Sequence, residues 1–278
     1  MMLSAASVSQ ARAQSNANES RSNAVKASTD TLSAARYVRP SLFERRDLLF
    51  LGGALAASAL VMPLDRGITG ELNERPAQRS QFLQSGADFF NTVGQPGVVV
   101  FSLGTLVLGH ALGSASMQDV GLHASLAVVS TGLVTAGIKS LVGRQRPALD
   151  LANSQVYGLG AGLGNNDRSS FPSGHTSVAF ALATVMSSEL ERLHPGSGRW
   201  ARPAFYSGAA LVGLARIYDA RHWTSDVVLG AGLGTLIGLK VTQLAHSHGE
   251  ATGTGFLRAL SVSPGDGGVR IGWTRPLR

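Results

Sequence analysis

The chain has 278 residues, 44% of them hydrophobic and 15% charged, which is apolar for a soluble protein and ample for one large core. Its net charge of +7 fits an anionic substrate or an anionic lipid surface, whereas nucleic acid is not expected as a partner, because no reading motif and no basic stripe interleaved with aromatics is found. The lack of cysteine excludes a disulfide framework and a thiolate nucleophile, and abundant glycine with few aromatics points to closely packed helices, so the expected class is all-α.

Residues 1–40 are rich in Ser, Ala and Asn without apolar periodicity and are expected to be disordered. Ala11-Arg12-Ala13 resembles a signal-peptidase site, yet the stretch before it is short and uncharged at its start. Residues 41–248 form the expected helical domain, a bundle of about six helices over Leu48–Leu64, Val98–Leu112, Leu122–Val142, Thr176–Leu190, Ala204–Ile217 and Val227–Leu244. These runs approach the roughly 17–25 residues of a transmembrane helix, so a spanning bundle is expected, with a very apolar soluble bundle as the alternative. Gly230, Gly234 and Gly238 share one helix face on which a neighbouring backbone can approach closely. Arg45 and Arg46 before the first run, and Arg192, Arg199 and Arg202 in the fourth connection, place those sides in the cytoplasm of a bacterial-type inner membrane. The third and fifth connections then face outward; a periplasmic or secreted protein is the alternative. In the tail, residues 249–278, two alternating stretches flank Pro264-Gly265-Asp266-Gly267-Gly268 and predict a β-hairpin.

Three polar clusters interrupt the apolar pattern. Lys139 ends the third run and is followed by Arg146-Pro147; Pro172-Ser173-Gly174-His175 opens the fourth; Arg216 ends the fifth, and His222 and Asp226 lead into the sixth. Alternating helices bring all three clusters to one face. Lys139, Arg146 and Arg216 supply cations for the non-bridging oxygens of a phosphate ester, and the Gly174 N–H and Ser173 hydroxyl extend the cradle at a helix N-terminus. Arg144 either adds to that field or is a solvated loop cation. His222 and Asp226 stand at i and i+4, so the carboxylate is expected to accept one ring N–H and leave the other nitrogen free to attack phosphorus. His175 is then the proton donor to the leaving alkoxide. Spacing alone leaves the reverse assignment of the two histidines open.

Lys139-x6-Arg146-Pro147, Pro172-Ser173-Gly174-His175 and Arg216-x5-His222-x3-Asp226 resemble the three signatures of the type 2 phosphatidic acid phosphatase and vanadium haloperoxidase superfamily. The resemblance spans roughly Leu48 to Leu244 and departs from the family at Ala215, where a serine often stands. It implies a membrane-associated phosphatase that acts on a lipid phosphate through a phosphohistidine on His222, with His175 as acid and base and no cofactor or metal. Phosphatidic acid, phosphatidylglycerol phosphate and a polyprenyl diphosphate are the implied substrates. A vanadate-dependent haloperoxidase and a non-catalytic lipid-binding protein are the alternatives. His110, His123, His194, His246 and His248 are expected to satisfy local hydrogen bonds, and Trp223 to be a core or interfacial aromatic.

Overall fold

The computed structural model describes residues 44–247, the side chains of Arg75 and Ser247 excepted; beyond them only stretches of backbone at 260–265 and 268–273 are placed. The hairpin expected there has no described side chains, and the fold stated here is the helical body. The N-terminal segment and its expected disorder lie outside the described residues.

Each apolar run becomes a helix. The first is α1 (Arg45–Val61), whose start is closed by the Glu44 N–H donating to Asp47 Oδ2 at 2.7 Å. Three short helices follow that hydropathy did not predict: α2 (Asp65–Leu72), α3 (Arg75–Gln78) and α4 (Gln81–Thr92). Gln84, Asp88 and Asn91 break the apolar pattern of α4, and a kinked turn at Val93–Gly97 leads into α5 (Val98–Ala111). The long α6 (Ala115–Val142) starts at Ser114, whose hydroxyl accepts from the Met117 N–H, and stops at Gly143, which adopts φ +58°. Then come α7 (Gly174–Leu193), α8 (Gly198–Tyr218) and α9 (Thr224–Ser247).

Helix α7 is the hub and packs against α6, α8 and α9. Its seam with α9 depends on the three glycines singled out above: a Cβ on Gly230 would lie 2.7 Å from the Ser173 carbonyl oxygen, one on Gly234 2.0 Å from that of Ser177, and one on Gly238 2.9 Å from that of Ala181. Such contacts are possible only for backbone against backbone. Ala124, Ala127, Ala181 and Val185 fill the α6–α7 seam, so the core is made of small side chains.

Four helical segments, Arg45–Leu72, Gln81–Ala111, Ala115–Val142 and Thr224–His246, are long and apolar enough to cross a membrane. Their outer faces carry large apolar side chains such as Leu60, Val100 and Leu133, which are 78%, 71% and 70% exposed. A water-facing bundle does not leave so continuous an apolar belt uncovered. The few polar contacts on these faces are internal: Lys240 of α9 pairs with Asp47 of α1, and the Ser58 hydroxyl donates to the Ser225 carbonyl at 2.8 Å.

Candidate active site

The alternation of helices brings the end of α6, the start of α7, the end of α8 and the start of α9 to one end of the bundle. There Lys139, Arg146, Gly174, His175, Arg216 and His222 line a single cavity of about 320 Å³. The connection between α6 and α7 folds back to form one wall. Its Gly160 N–H donates to the Leu141 carbonyl at 2.8 Å, and Gly162 passes so close to Lys139 that a Cβ there would lie 2.0 Å from the Lys139 carbonyl oxygen.

Each cation donates to at least one neutral oxygen. Lys139 donates to the Ser169 carbonyl, and Arg146 donates to the Asn166 carbonyl at 2.7 Å and side-chain oxygen at 2.8 Å. Arg216 donates to the Asn91 side-chain oxygen at 2.6 Å and lies 3.6 Å from Asp219. Its Nε is buried without a partner, a donor left over for an anion. Burial, together with repulsion from Arg221, lowers the Arg146 pKa from its ordinary value, yet an arginine stays protonated. Three cations with little opposing charge in the cavity make a site for a multiply charged oxyanion.

His222 is fully enclosed apart from the cavity. Its Nδ1 lies 2.7 Å from the Ser170 carbonyl oxygen, which can only accept, so Nδ1 carries the proton and Nε2 keeps its lone pair. The expectation that Asp226 takes this N–H is not met, since the nearer carboxylate oxygen stands 3.8 Å away. Asp226 instead accepts from the Ser170 hydroxyl at 2.5 Å, from the Trp223 N–H at 2.8 Å and from Arg144 at 2.5 Å. It therefore holds the residues that hold His222. Burial, with Lys139 nearby, depresses the His222 pKa to about 3, so the ring is neutral at ordinary pH.

Arg144 is neither a solvated loop cation nor a wall of the cavity. It is wholly buried and bridges Asp226 to Asp65, whose Oδ2 it meets at 2.7 Å, while donating twice more to the Ser154 carbonyl. Asp65 also accepts the Ser225 N–H at 2.8 Å. Burial opposes the charge of Arg144, but the two carboxylates outweigh it and raise its pKa. Asp65 lies outside all three clusters, and no short motif marked it.

Ser173 is also not where the cradle reading put it. Its hydroxyl is buried and accepts from Thr176 at 2.8 Å, and its N–H donates to the Asp226 carbonyl at 3.0 Å, tying α7 to α9. Asn91 comes from the last turn of α4 and Gln95 from the break between α4 and α5, where Gly94 has a non-helical ψ of −113° and sits against His175. Gly94-x-Pro96 was the available sequence signal for that break. Trp223 is completely buried and donates to the Gln145 carbonyl at 2.9 Å, which makes it a core aromatic.

Residues 120–249, which hold Lys139, Arg146, His175, Arg216, His222 and Asp226 but not Asp65, Asn91 or Gln95, match the model of the PAP2 superfamily. A lipid A 1-phosphatase of Porphyromonas gingivalis is 36% identical over 137 residues, 49% of this chain and 23% of that relative. Lipid phosphate phosphatase 1 of Arabidopsis thaliana is 33% identical over 131 residues, 40% of each chain. The chain thus spans less than half the length of these relatives. The crystal structure of a transmembrane PAP2-type phosphatidylglycerolphosphate phosphatase from Bacillus subtilis superposes with a TM-score of 0.52 at 20% identity, covering 72% of this chain and 94% of that one. That likeness establishes the shared helical fold.

Proposed function

We propose that this protein is a membrane-embedded phosphatase that removes a terminal phosphate from a lipid through a phosphohistidine intermediate. The observation that carries the reading is the convergence of three cations, His175 and a tautomerically fixed His222 on one cavity. Lys139, Arg146 and Arg216 bind the non-bridging oxygens, whose charge is redistributed in the transition state. The Nε2 lone pair of His222 forms the N–P bond as the P–O bond to the lipid breaks, and His175 gives its proton to the departing alkoxide. Water then attacks phosphorus, passes a proton to His175 and returns His222 to its starting form. In this scheme side-chain cations supply the charge stabilisation, and no metal or cofactor takes part.

The lipid nature of the substrate is supported by the names of the relatives and by the exposed apolar helices, which fit a site reached from a bilayer. Phosphatidic acid, phosphatidylglycerol phosphate, lipid A and a polyprenyl diphosphate share the required phosphate. Arginine placement supports a cavity on the outer face of a bacterial-type inner membrane. The test is phosphate release in EDTA from a panel of these four lipids, with His222→Ala alongside. Release that persists in chelator and vanishes in the variant is expected; release that survives His222→Ala would overturn the covalent mechanism. His110, on α5 away from the cavity, provides the control, and His110→Ala should retain full activity.

A further inference from the structure

The far end of the bundle carries a second cluster of ionisable groups. His123 lies near the start of α6, Glu189 in the last turns of α7 and His246 at the end of α9. His123 Nδ1 and His246 Nε2 approach the same oxygen of Glu189, Oε1, at 2.7 and 2.8 Å. The other oxygen, Oε2, accepts from Arg192 Nε at 2.7 Å. The Glu189 carboxylate is fully buried and the His123 ring nearly so, whereas the His246 side chain is 40% exposed. The three potential ligand atoms lie within 4.8 Å of one another.

We propose that His123, Glu189 and His246 bind a divalent transition cation of the zinc class. Two imidazole nitrogens and one carboxylate oxygen are the donor set such ions prefer, and three protein ligands leave a fourth position for water on the His246 side. As a purely hydrogen-bonded cluster, both rings must carry their proton on the inward nitrogen and direct it to one oxygen. A cation replaces those two protons and uses the same converging lone pairs. Arg192 holds the second carboxylate oxygen, which fixes the direction of the first as an outer partner does at metal sites. Tetrahedral ligands about 2.0–2.2 Å from zinc lie roughly 3.3 Å apart, so the ligands need to separate by about half an ångström, which the exposed His246 side chain allows.

The three ligand-bearing helices are those whose opposite ends carry Lys139, His175 and Asp226. A cation here staples α6, α7 and α9 from the far side without entering the reaction, so chelation should not change hydrolysis. The proposal is independent of the phosphatase reading.

The test uses the full chain, carrying an affinity tag without histidines, purified in detergent, stripped with chelator and dialysed against Zn²⁺. After desalting, the wild type is expected to retain about one equivalent of zinc and to melt higher than the stripped protein, with both effects lost in His246→Ala. Co²⁺ in place of zinc should give visible absorption in the wild type and none in the variant. Zinc retention and a melting shift that are the same in wild type and His246→Ala would overturn the site, as would their absence from both. Glu189→Gln is a second variant with the same expected loss; because His246 is exposed, the His246→Ala comparison stays readable even if Glu189→Gln does not fold.

Discussion

Replacing Arg144 by methionine removes a buried cation while keeping much of its length and volume. The two carboxylates it bridges, Asp65 and Asp226, are both fully enclosed and would be left facing each other without compensation. Breaking a buried pair from one side costs about 3–5 kcal/mol, a large part of the roughly 5–15 kcal/mol that keeps a domain folded. At about 2–4 °C per kcal/mol for a chain of this size class, the melting temperature should fall by about 6–20 °C. Activity per folded molecule should fall too, because Asp226 holds the Ser170 hydroxyl and the loop whose carbonyl orients His222. The assay is thermal unfolding in detergent together with phosphate release below the melting range. Arg144→Lys should recover only part of both losses, since an ammonium group does not reproduce the forked contacts to two carboxylates and the Ser154 carbonyl. Coupling is read from Asp65→Asn: in the Arg144→Met background it should cost less than in the wild type. An Arg144→Met protein that melts within about 2 °C of wild type and turns over normally would refute the network's role, given the expected loss.

The depressed pKa of His222 has a defined sign. A ring that titrates near 3 in the folded chain and near 6.5 unfolded makes the unfolded state bind more protons between those values. The contribution of this group should therefore make stability fall as pH is lowered from about 6.5 towards 3, and His222→Gln should flatten that part of the pH–stability profile. An NMR titration of His222 with its midpoint near 6.5 would contradict the enclosed, neutral ring. Gly234→Ala should unfold or strongly destabilise the bundle, because its Cβ would sit 2.0 Å from the Ser177 carbonyl oxygen. Gly104→Ala, with nothing within 4 Å of the added Cβ, should be neutral or stabilising by up to about 1 kcal/mol in the same melting experiment. Equal melting temperatures for the two variants would show that the α7–α9 seam is not as close as the glycine contacts require.

Local chemistry was sufficient for the helical class, for the six apolar segments and for the cavity-lining residues Lys139, Arg146, Gly174, His175, Arg216 and His222. Hydrophobic runs announce buried or lipid-facing helices by themselves, and charged or titratable residues at their ends stand out against an apolar background. The glycine face of α9 was equally legible, because a three-turn row of missing side chains has few uses besides close helix contact. Tertiary structure alone decided the roles of Asp65, Asn91 and Arg144, because their partners are distant in the chain: Asp65 reaches Ser225 and Arg144, and Asn91 reaches Arg216. It also decided which acceptor orients His222. The i, i+4 spacing made Asp226 a reasonable partner, but the carbonyl of Ser170, brought in by the loop before α7, lies more than an ångström closer and accepts the Nδ1–H. Spacing along one element says which groups can meet; which of them do meet depends on what the rest of the chain places between them.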